Sequence, residues 1–247
     1  MKIAVISDIH GNMDALEAVM KDIEKKECEK IFALGDYAMA GPEPALTVDW
    51  FMEKAKNKNF TLIQGNTDLM IADYSDFLYD MVKNSAPVMA EALRNDTLVL
   101  NPLHKEFLKN LPIQVEVEEE SVKFLLCHGS PRKNNEDILP DTPMAKVEEM
   151  LVNVDAQVVL CGHTHIPCGF QTSTKQTVVN AGSVGRPFTA EPKACYLLVD
   201  VWKSRCVFEH QFVSYNNKKA AQTLSKRKFS GAERLAETLI NPKERHF

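Results

Sequence analysis

Residues 2–12 read KIAVISDIHGN, an apolar and β-branched run that ends at the polar residues Asp8 and His10. Apolar residues at every position from 3 to 6 predict a strand that is covered on both faces, as in a parallel sheet. Asn12 predicts a helix start, because its side chain can accept a hydrogen bond from the first turn. The apolar residues that follow, at 13, 16, 20 and 23, have helical spacing. The chain therefore opens as the first half of a βαβ unit.

The same succession of strands and helices continues along the chain. Strands are predicted at 31–34 and 60–63, with a helix opening at Pro42 and Pro44 between them, so the first part forms βαβ units. Residues 69–111 are rich in Met, Leu, Ala and charge, and predict a helical insertion of two or three short helices. Further strands are predicted at 113–117, 122–127, 158–161, 177–180, 195–202 and 206–212, and helices at 142–151 and 216–240. This β-rich second half fits two packed sheets better than one open sheet.

Length and composition bound what the chain can be. With 247 residues, 45% of them hydrophobic, we predict a single domain over 1–247 with a sizeable core. The net charge of −5 argues against a surface built for generic nucleic-acid binding. The sequence lacks an apolar run of about 18 residues, the length of a membrane span, and the first apolar run is too short for a secretory signal. A cytoplasmic location, with no membrane partner, is expected.

Five loops that follow predicted strands carry side chains able to bind metal. They are Asp8-Ile9-His10, Gly35-Asp36, Gly65-Asn66-Thr67-Asp68, His128-Gly129 and Gly162-His163-Thr164-His165. Loops at the carboxyl ends of strands are where α/β folds place their sites. Each loop alone also has a structural interpretation, such as helix capping for Asp8, turn chemistry for Asp36 or an ordinary structural histidine for His128. The pair His163 and His165 is more specific, and the five loops together predict a metal site.

This set of motifs resembles the calcineurin-like metallophosphoesterase superfamily. The motifs span residues 8–165, and the strands up to about residue 212 fit that family's fold. The resemblance implies an α/β fold, a four-layer α/β/β/α sandwich of two mixed sheets, here with a small helical insertion. Residues 180–187, NAGSVGRP, are similar to the Gly-Ser-x-Gly loop of the small bacterial and archaeal phosphodiesterases, a branch with dinucleoside-tetraphosphate hydrolase-like members.

The resemblance implies two divalent metal ions that share one carboxylate. Asp8, His10 and His165 are expected to hold one ion, Asn66, His128 and His163 the other, and Asp36 both. A mixed nitrogen and oxygen donor set suits Mn²⁺, which we favour, and also Fe or Zn²⁺. No residue is expected to attack phosphorus, since the family mechanism uses a metal-bridging hydroxide.

Four residues are expected to contact substrate, namely Thr67, Arg132, Asn180 and Arg186. The two arginines could clamp phosphate oxygens, although each also fits an ordinary surface arginine. Thr67 stands where many family members have a histidine that protonates the leaving group, and a threonine hydroxyl cannot act as an acid near neutral pH. Asp68, which would orient that histidine, is retained. His104 in the insertion is either a replacement acid or a solvated helix histidine.

Two further features have competing interpretations. Cys127 and Cys161 lie next to predicted ligands, but we interpret them as buried structural thiols rather than nucleophiles. The six cysteines include no C-x-x-C pair, so a disulfide framework is not expected. The basic stretch 218–228 fits a solvated helix face better than a nucleic-acid contact, given the negative net charge.

The sequence thus predicts a dinuclear metal-dependent phosphoesterase that hydrolyses phosphodiester or phosphoanhydride bonds. Its expected substrate is a small-molecule phosphoester, with a nucleotide favoured. One alternative is a phosphomonoester or phosphoprotein phosphatase, which the threonine at position 67 disfavours. Another is a non-catalytic protein-binding scaffold on the same fold, which the complete ligand set disfavours. A stable nucleic-acid partner is not expected, and homo-oligomer formation is left open.

Overall fold

The computed structural model describes residues 1–242 and arranges ten strands in two five-stranded sheets within them. The predicted domain over 1–247 extends beyond this range by 243–247, which lie outside the described residues. The strands are β1 (Lys2–Ile6), β2 (Lys30–Ala33), β3 (Phe60–Leu62), β4 (Gln114–Glu119), β5 (Val122–Cys127), β6 (Val158–Cys161), β7 (Cys168–Gln171), β8 (Thr177–Asn180), β9 (Ala194–Trp202) and β10 (Arg205–Val213).

Helices flank the sheets and fill the connections between strands. Within the described residues they are α1 (Met13–Lys25), α2 (Pro44–Lys54), α3 (Asn66–Ala72), α4 (Asp76–Ser85), α5 (Pro87–Val99), α6 (Pro102–Asn110), α7 (Met144–Met150), α8 (Asn217–Ser225) and α9 (Ala232–Ile240). Asn12 caps α1 as expected, since its side chain accepts a hydrogen bond from the Ala15 amide. In this part of the chain, no helix combines the length and the apolar character that crossing a membrane requires.

Both sheets are mixed. In the first sheet the order is β10-β9-β1-β2-β3, with β1, β2 and β3 parallel and the other two strands added in antiparallel fashion. In the second the order is β4-β5-β6-β8-β7, with β5, β6 and β8 parallel and antiparallel strands at both edges. The predicted α/β/β/α sandwich of two mixed sheets is confirmed.

The apolar run of β1 is continuous because the strand is buried on both faces. Ile3 and Val5 pack against the second sheet, in a core that includes Phe124. Ala4 and Ile6 alternate with them and belong to the core formed with the helices. Successive side chains of a strand point to opposite faces, so every position has to be apolar.

The structure differs from the sequence prediction in three elements. Between β3 and β4 it has four helices, rather than two or three, over 66–110. The helix predicted over 216–240 is two helices with residues 226–231 between them, and Gly231, whose φ of 89° is not that of a right-handed helix, directly precedes the second. Strand β7 was not predicted, because four residues, two half-buried and two exposed in alternation, are too few to show a period of two.

Candidate metal centre

The predicted ligands lie in loops at the carboxyl ends of β1, β2, β3, β5 and β6, and these loops meet between the two sheets. Five of the ligands have a left-handed backbone: Asp8 (φ 54°), His10 (φ 46°), Asp36 (φ 57°), His163 (φ 67°) and His165 (φ 62°). This conformation costs roughly 1–3 kcal/mol for a residue with a side chain, and it clusters at functional sites. Backbone hydrogen bonds hold it, including His10 N to Asp36 O at 2.9 Å and Asp8 N to Gly35 O at 3.1 Å.

In each of two groups of buried side chains the donor atoms lie within 4.8 Å of one another: Asp8, His10 and His165, and Asp8, Asp36 and His128. Among the described residues, the predicted ligand His163 belongs to neither group. The Nε2 atoms of His10 and His165 are 3.1 Å apart, and His165 Nε2 is 3.2 Å from Asp8 Oδ1. His128 Nε2 is 3.3 Å from Asp36 Oδ2. Atoms of these types at these spacings can share a divalent ion.

Three of the histidine rings are oriented by backbone carbonyls. His10 Nδ1 is 2.7 Å from Met39 O, His128 Nδ1 is 2.6 Å from Leu34 O, and His165 Nδ1 is 2.6 Å from Arg186 O. A carbonyl can only accept, so each Nδ1 carries the proton and each Nε2 can direct its lone pair into the cluster. Histidines that bind metal are commonly oriented in this way, through the ring nitrogen that does not face the ion.

Several buried atoms in the cluster fit a metal ion because they have no hydrogen-bond partner in the protein. They are Asp8 Oδ1, Asn66 Oδ1 and His128 Nε2. A buried polar atom without a partner costs free energy, so most such atoms in folded proteins are satisfied by protein, water or an ion. Their convergence with the other donors makes the residues a fitting set for divalent ions.

The electrostatics of the cluster also favour cations. Burial raises the pKa of Asp8, but His165 and His128 outweigh it and bring that pKa to about 2. Burial also raises the pKa of Asp36, but His128 and His10 outweigh this effect and hold that pKa well below its usual range. Burial lowers the pKa of His128, but Asp36 and Asp8 raise it to about 10. Both carboxylates are therefore charged at neutral pH, and a metal bound to His128 has to displace a proton.

A cavity of about 130 Å³ opens on the cluster and contains two of the four predicted substrate residues. Its lining consists of His10, Asp36, Asn66, Thr67, Met89, His163, His165, Arg186 and Phe188. The Thr67 hydroxyl is buried and has no hydrogen-bond partner in the protein. The Arg186 guanidinium contacts Met89 Sδ at 3.4 Å, and burial lowers its pKa only to about 10, so it is charged at neutral pH.

The other two predicted substrate residues are engaged elsewhere. Arg132 pairs with Glu136 at 2.5 Å and with Glu149 at 2.9 Å, and lines a separate cavity of about 460 Å³. The Asn180 amide donates to Gly162 O at 2.6 Å and to Thr164 Oγ1 at 3.0 Å, which fixes the loop that carries His163 and His165. Among the described residues, neither belongs to the lining of the cavity at the metal centre.

His104 is also turned away from this cavity. Its ring lies 2.8 Å from Asp49 Oδ1, between α6 and α2, and it is absent from the described lining of the site. This position does not suit a replacement acid. His104 is also buried, so it is not a solvated helix histidine either. The physical reason is that its ring faces Asp49 of α2, whereas Thr67 of α3 and Met89 of α5 line the cavity of the candidate metal centre.

Asp68 has a role that the sequence did not predict. Its carboxylate accepts hydrogen bonds from the backbone amides of Asp36, Tyr37 and Gly65, at 2.8, 2.9 and 2.9 Å. It thereby joins the loops after β2 and β3, which carry Asp36 and Asn66. The two loops approach so closely that a Cβ on Gly65 would lie 2.3 Å from Asp36 N, so only glycine fits there.

A buried ion pair between Arg227 and Asp96 supports the turn that follows Asp36. Arg227, after α8, lies 2.6 Å from Asp96 Oδ1 of α5 and donates to Gly41 O at 2.8 Å. Asp96 Oδ2 accepts from Ala40 N at 2.8 Å. The pair therefore fixes the turn next to Met39, whose carbonyl orients His10.

Three more residues at the centre were missed from the sequence. Phe188 stacks on the His165 ring, with centroids 4.8 Å apart, and Met89 of the insertion lines the cavity. Asp137 Oδ1 lies 3.3 Å from His163 Nε2. Only Asp137 carries a signal that could have been used, since it is a carboxylate in the loop that follows His128.

The two cysteines beside the ligands are buried and free. Burial raises the pKa of Cys127 to about 12 and that of Cys161 well above its usual value. Both thiols stay protonated at neutral pH, which agrees with a structural role.

Known proteins are similar to this chain over most of its length. A family model, the calcineurin-like phosphoesterase superfamily domain, matches residues 1–204. An uncharacterized protein of Methanocaldococcus jannaschii, MJ0912, is 28% identical over 242 residues, with 91% of this chain and 92% of the relative covered.

Solved structures show the same fold. The hypothetical protein PH1004 from Pyrococcus horikoshii superposes with a TM-score of 0.85 at 26% identity, over 98% of this chain and 99% of that one. A metallophosphoesterase from Sphaerobacter thermophilus gives a TM-score of 0.77 at 24% identity, over 97% of this chain and 98% of that one.

Proposed function

The chain belongs to the calcineurin-like phosphoesterase superfamily, and from that premise we propose that it is a dinuclear metal-dependent hydrolase of phosphodiester or phosphoanhydride bonds in nucleotides. The observation that carries this proposal is the buried cluster of Asp8, Asp36 and three histidines whose Nδ1 atoms are bound to backbone carbonyls, so that their Nε2 atoms point into the cluster. A purely structural cluster would pair all its buried polar atoms with one another. Here Asp8 Oδ1, Asn66 Oδ1 and His128 Nε2 have no hydrogen-bond partner in the protein, which suits a ligand of positive charge.

Each of the two divalent ions is assigned its own ligands, and Asp36 is common to both. Asp8, His10 and His165 would hold the first ion, and Asn66, His128 and His163 would hold the second. Mn²⁺ is the favoured metal for this mixture of nitrogen and oxygen donors. When bound, such ions lower the pKa of a coordinated water and neutralise charge on the phosphoryl oxygens.

The protein's own residues bind and orient the phosphoryl group. The Arg186 guanidinium is charged and buried at the cavity, so it interacts strongly with a phosphate oxygen in a site of low dielectric constant. The Thr67 hydroxyl faces the same cavity and can donate one hydrogen bond. A protein nucleophile is not required, which is consistent with the protonated Cys127 and Cys161 thiols.

The substrate preference follows from position 67 and from the size of the cavity. No imidazole stands at that position to protonate a departing oxygen, so substrates with good leaving groups are favoured. A nucleotide phosphate released from an anhydride, or a phenolate released from an activated diester, departs without a proton, whereas a serine alkoxide does not. A cavity of about 130 Å³ holds a phosphoryl group and leaves the remainder of the substrate outside it.

The test is hydrolysis of an activated aryl phosphodiester by protein that has been stripped of metal and reloaded with Mn²⁺. We expect activity only in the reloaded protein, and its loss to background in Asp36→Ala. Asp155→Asn is the matched control, because Asp155 is an exposed carboxylate that pairs with Lys123 and belongs to neither group of candidate ligands. Full activity in metal-stripped protein or in Asp36→Ala would contradict the mechanism. Metal uptake without turnover, with Mn²⁺, Fe²⁺ and Zn²⁺ each supplied, would favour the scaffold alternative.

A further inference from the structure

A larger cavity, of about 460 Å³, borders the candidate metal centre. The candidate ligand His128 belongs to its lining, so this cavity reaches the buried cluster. Helix α3 connects it to the smaller cavity, because Asn66 lines the smaller one and Leu69, three residues later on the same face of the helix, lines the larger one. A substrate whose phosphoryl group lies at the centre can therefore extend into the larger cavity.

The loop after β5 forms one wall of this cavity and is fixed by hydrogen bonds. Residues 130–135 all belong to the lining. The Ser130 amide donates to the Lys133 carbonyl at 2.8 Å, and the Ser130 hydroxyl oxygen accepts from the Arg132 amide at 3.1 Å. The Arg132 guanidinium in turn lies 2.9 Å from Glu149 of α7. A wall that is already ordered loses less conformational entropy when a ligand binds.

The size and the lining of the larger cavity suit an organic group better than a second phosphate. Small-molecule sites are typically cavities of about 300–1,000 Å³ with apolar walls and a few polar groups. Here Leu69, Ile113 and Pro131 supply the apolar surface. Arg132, the residue that would bind phosphate most strongly, already pairs with two glutamates, which neutralise its charge.

Neutral amide side chains provide much of the polar part of the lining. They are Gln114, at the start of β4, and Asn134 and Asn135 in the loop after β5. A carboxamide has donors and an acceptor side by side, so it can pair with the edge of a nucleobase, as Asn and Gln do with adenine. Lys133, in the same lining, adds a positive charge that favours a ligand joined to phosphate.

We propose that the larger cavity binds the nucleoside of a nucleotide substrate whose phosphoryl group lies at the metal centre, an inference that rests on the proposed function. The smaller cavity then holds the phosphoryl group, and the larger one holds the base and sugar. Contacts to the nucleoside are remote from the reacting atoms, and their binding energy favours a nucleoside ester over a simple ester with the same leaving group.

The experiment compares two diesters that release the same leaving group, the para-nitrophenyl esters of AMP and of methyl phosphate. Both are supplied to the full chain loaded with Mn²⁺. Because para-nitrophenolate departs from both, the ratio of their kcat/KM values measures what the nucleoside contributes. We expect kcat/KM to be about tenfold or more higher for the AMP ester.

Two variants test whether this preference arises in the larger cavity. Ile113→Trp places an indole in it and should lower the ratio about tenfold or more, and Gln114→Ala, which removes a carboxamide, should lower it about fivefold. Ile113 is 58% exposed, so its replacement leaves the core intact. Val207→Trp is the matched control and should leave the ratio unaltered, because Val207 is 66% exposed and belongs to neither described lining.

Two results would overturn the nucleoside site while leaving the proposed hydrolase intact. They are equal kcat/KM values for the two esters, and a preference for the AMP ester that neither Ile113→Trp nor Gln114→Ala reduces. If the unchanged protein hydrolyses neither ester, with Mn²⁺, Fe²⁺ and Zn²⁺ each supplied, the proposed function itself is refuted, and the nucleoside site with it.

Discussion

Thr67 lines the cavity of the candidate metal centre, at the position where the family resemblance predicts a histidine that protonates the leaving group. Its hydroxyl is buried at the cavity, and its amide donates to Asp36 Oδ1 at 2.9 Å. The backbone at position 67 is therefore fixed relative to Asp36, although a threonine cannot supply a proton. A histidine at position 67 would have the same fixed backbone.

We predict that Thr67→His reduces the sensitivity of the rate to the leaving group. General-acid help is worth about 10²–10⁴-fold and matters most for basic leaving groups. In the unchanged protein, rates over a series of aryl phosphodiesters should fall steeply as the pKa of the leaving group rises, and Thr67→His should flatten that slope. Thr67→Ser, which keeps a hydroxyl, is the control. A flat slope in the unchanged protein would mean that another acid is present.

The cysteines beside the ligands lead to a second prediction at the residue scale. Burial raises the pKa of Cys127 to about 12, so almost none of it is thiolate at pH 8. Iodoacetamide at pH 8 should leave Cys127 and Cys161 unmodified in the native protein, with activity unchanged. Mass spectrometry checks the sites, and urea-unfolded protein, in which all thiols react, is the control. Inactivation together with labelling of Cys127 would contradict a structural role.

At the scale of elements, three separate segments hold the turn that follows Asp36. Asp68 of α3 binds the amides of Asp36 and Tyr37, while Asp96 of α5 binds that of Ala40. Arg227, between α8 and α9, binds the carbonyl of Gly41. The helical insertion and the C-terminal helices thus support the metal centre, even though only the insertion contributes side chains to its cavity.

We predict that Arg227→Met lowers both stability and metal affinity. Removing one partner of a buried ion pair costs about 3–5 kcal/mol, because the other charge stays buried without compensation. The turn that orients His10 through Met39 should loosen as well, so the ion bound by His10 should dissociate more readily. Urea unfolding and Mn²⁺ titration measure the two effects, and Arg227→Lys should restore part of each.

Lys219→Met is the control for this change, since it breaks the surface pair of Lys219 and Asp14. Exposed pairs contribute little to stability. Loss of stability in Arg227→Met with unaltered Mn²⁺ affinity would show that the pair supports the fold but not the centre.

At the scale of the whole molecule, the centre joins the two sheets. The first sheet carries Asp8, His10, Asp36 and Asn66 in its loops, and the second carries His128, His163 and His165. An ion bound to both sets cross-links the sandwich in the folded state only. Metal binding and global stability should therefore be coupled.

The corresponding prediction is a rise in melting temperature on adding Mn²⁺ to chelated protein. A ligand at 100 times its dissociation constant stabilises the folded state by about 2.7 kcal/mol. Scanning calorimetry with EDTA and with excess Mn²⁺ measures the difference, which should be large in the unchanged protein and small in Asp36→Ala. Equal melting temperatures in the two conditions would contradict metal binding between the sheets.

Much of the architecture could be predicted because local patterns encode it. Strands β5, β6 and β8 have the predicted bounds, because each contains consecutive buried apolar residues; β6 is an unbroken apolar run, and β5 is interrupted only by the exposed Lys123. The break before Gly231 was missed because a glycine that continues a helical pattern and one that ends it look alike in sequence. Only packing against Val88, 2.7 Å from where a Cβ would stand, distinguishes them.

The sequence by itself determined the fold class and predicted the five candidate ligand loops, because apolar periodicity and short motifs lie in consecutive residues. The tertiary structure alone decided what each remaining polar side chain does. In the structure Arg132 pairs with two glutamates, and Asn180 binds the loop of His163. Asp137 lies next to His163, and Arg227 pairs with Asp96. The physical reason is that a charge or an amide acts through whatever lies within a few ångströms of it. Those neighbours come from segments far apart in the chain, and only the packed sandwich brings them together.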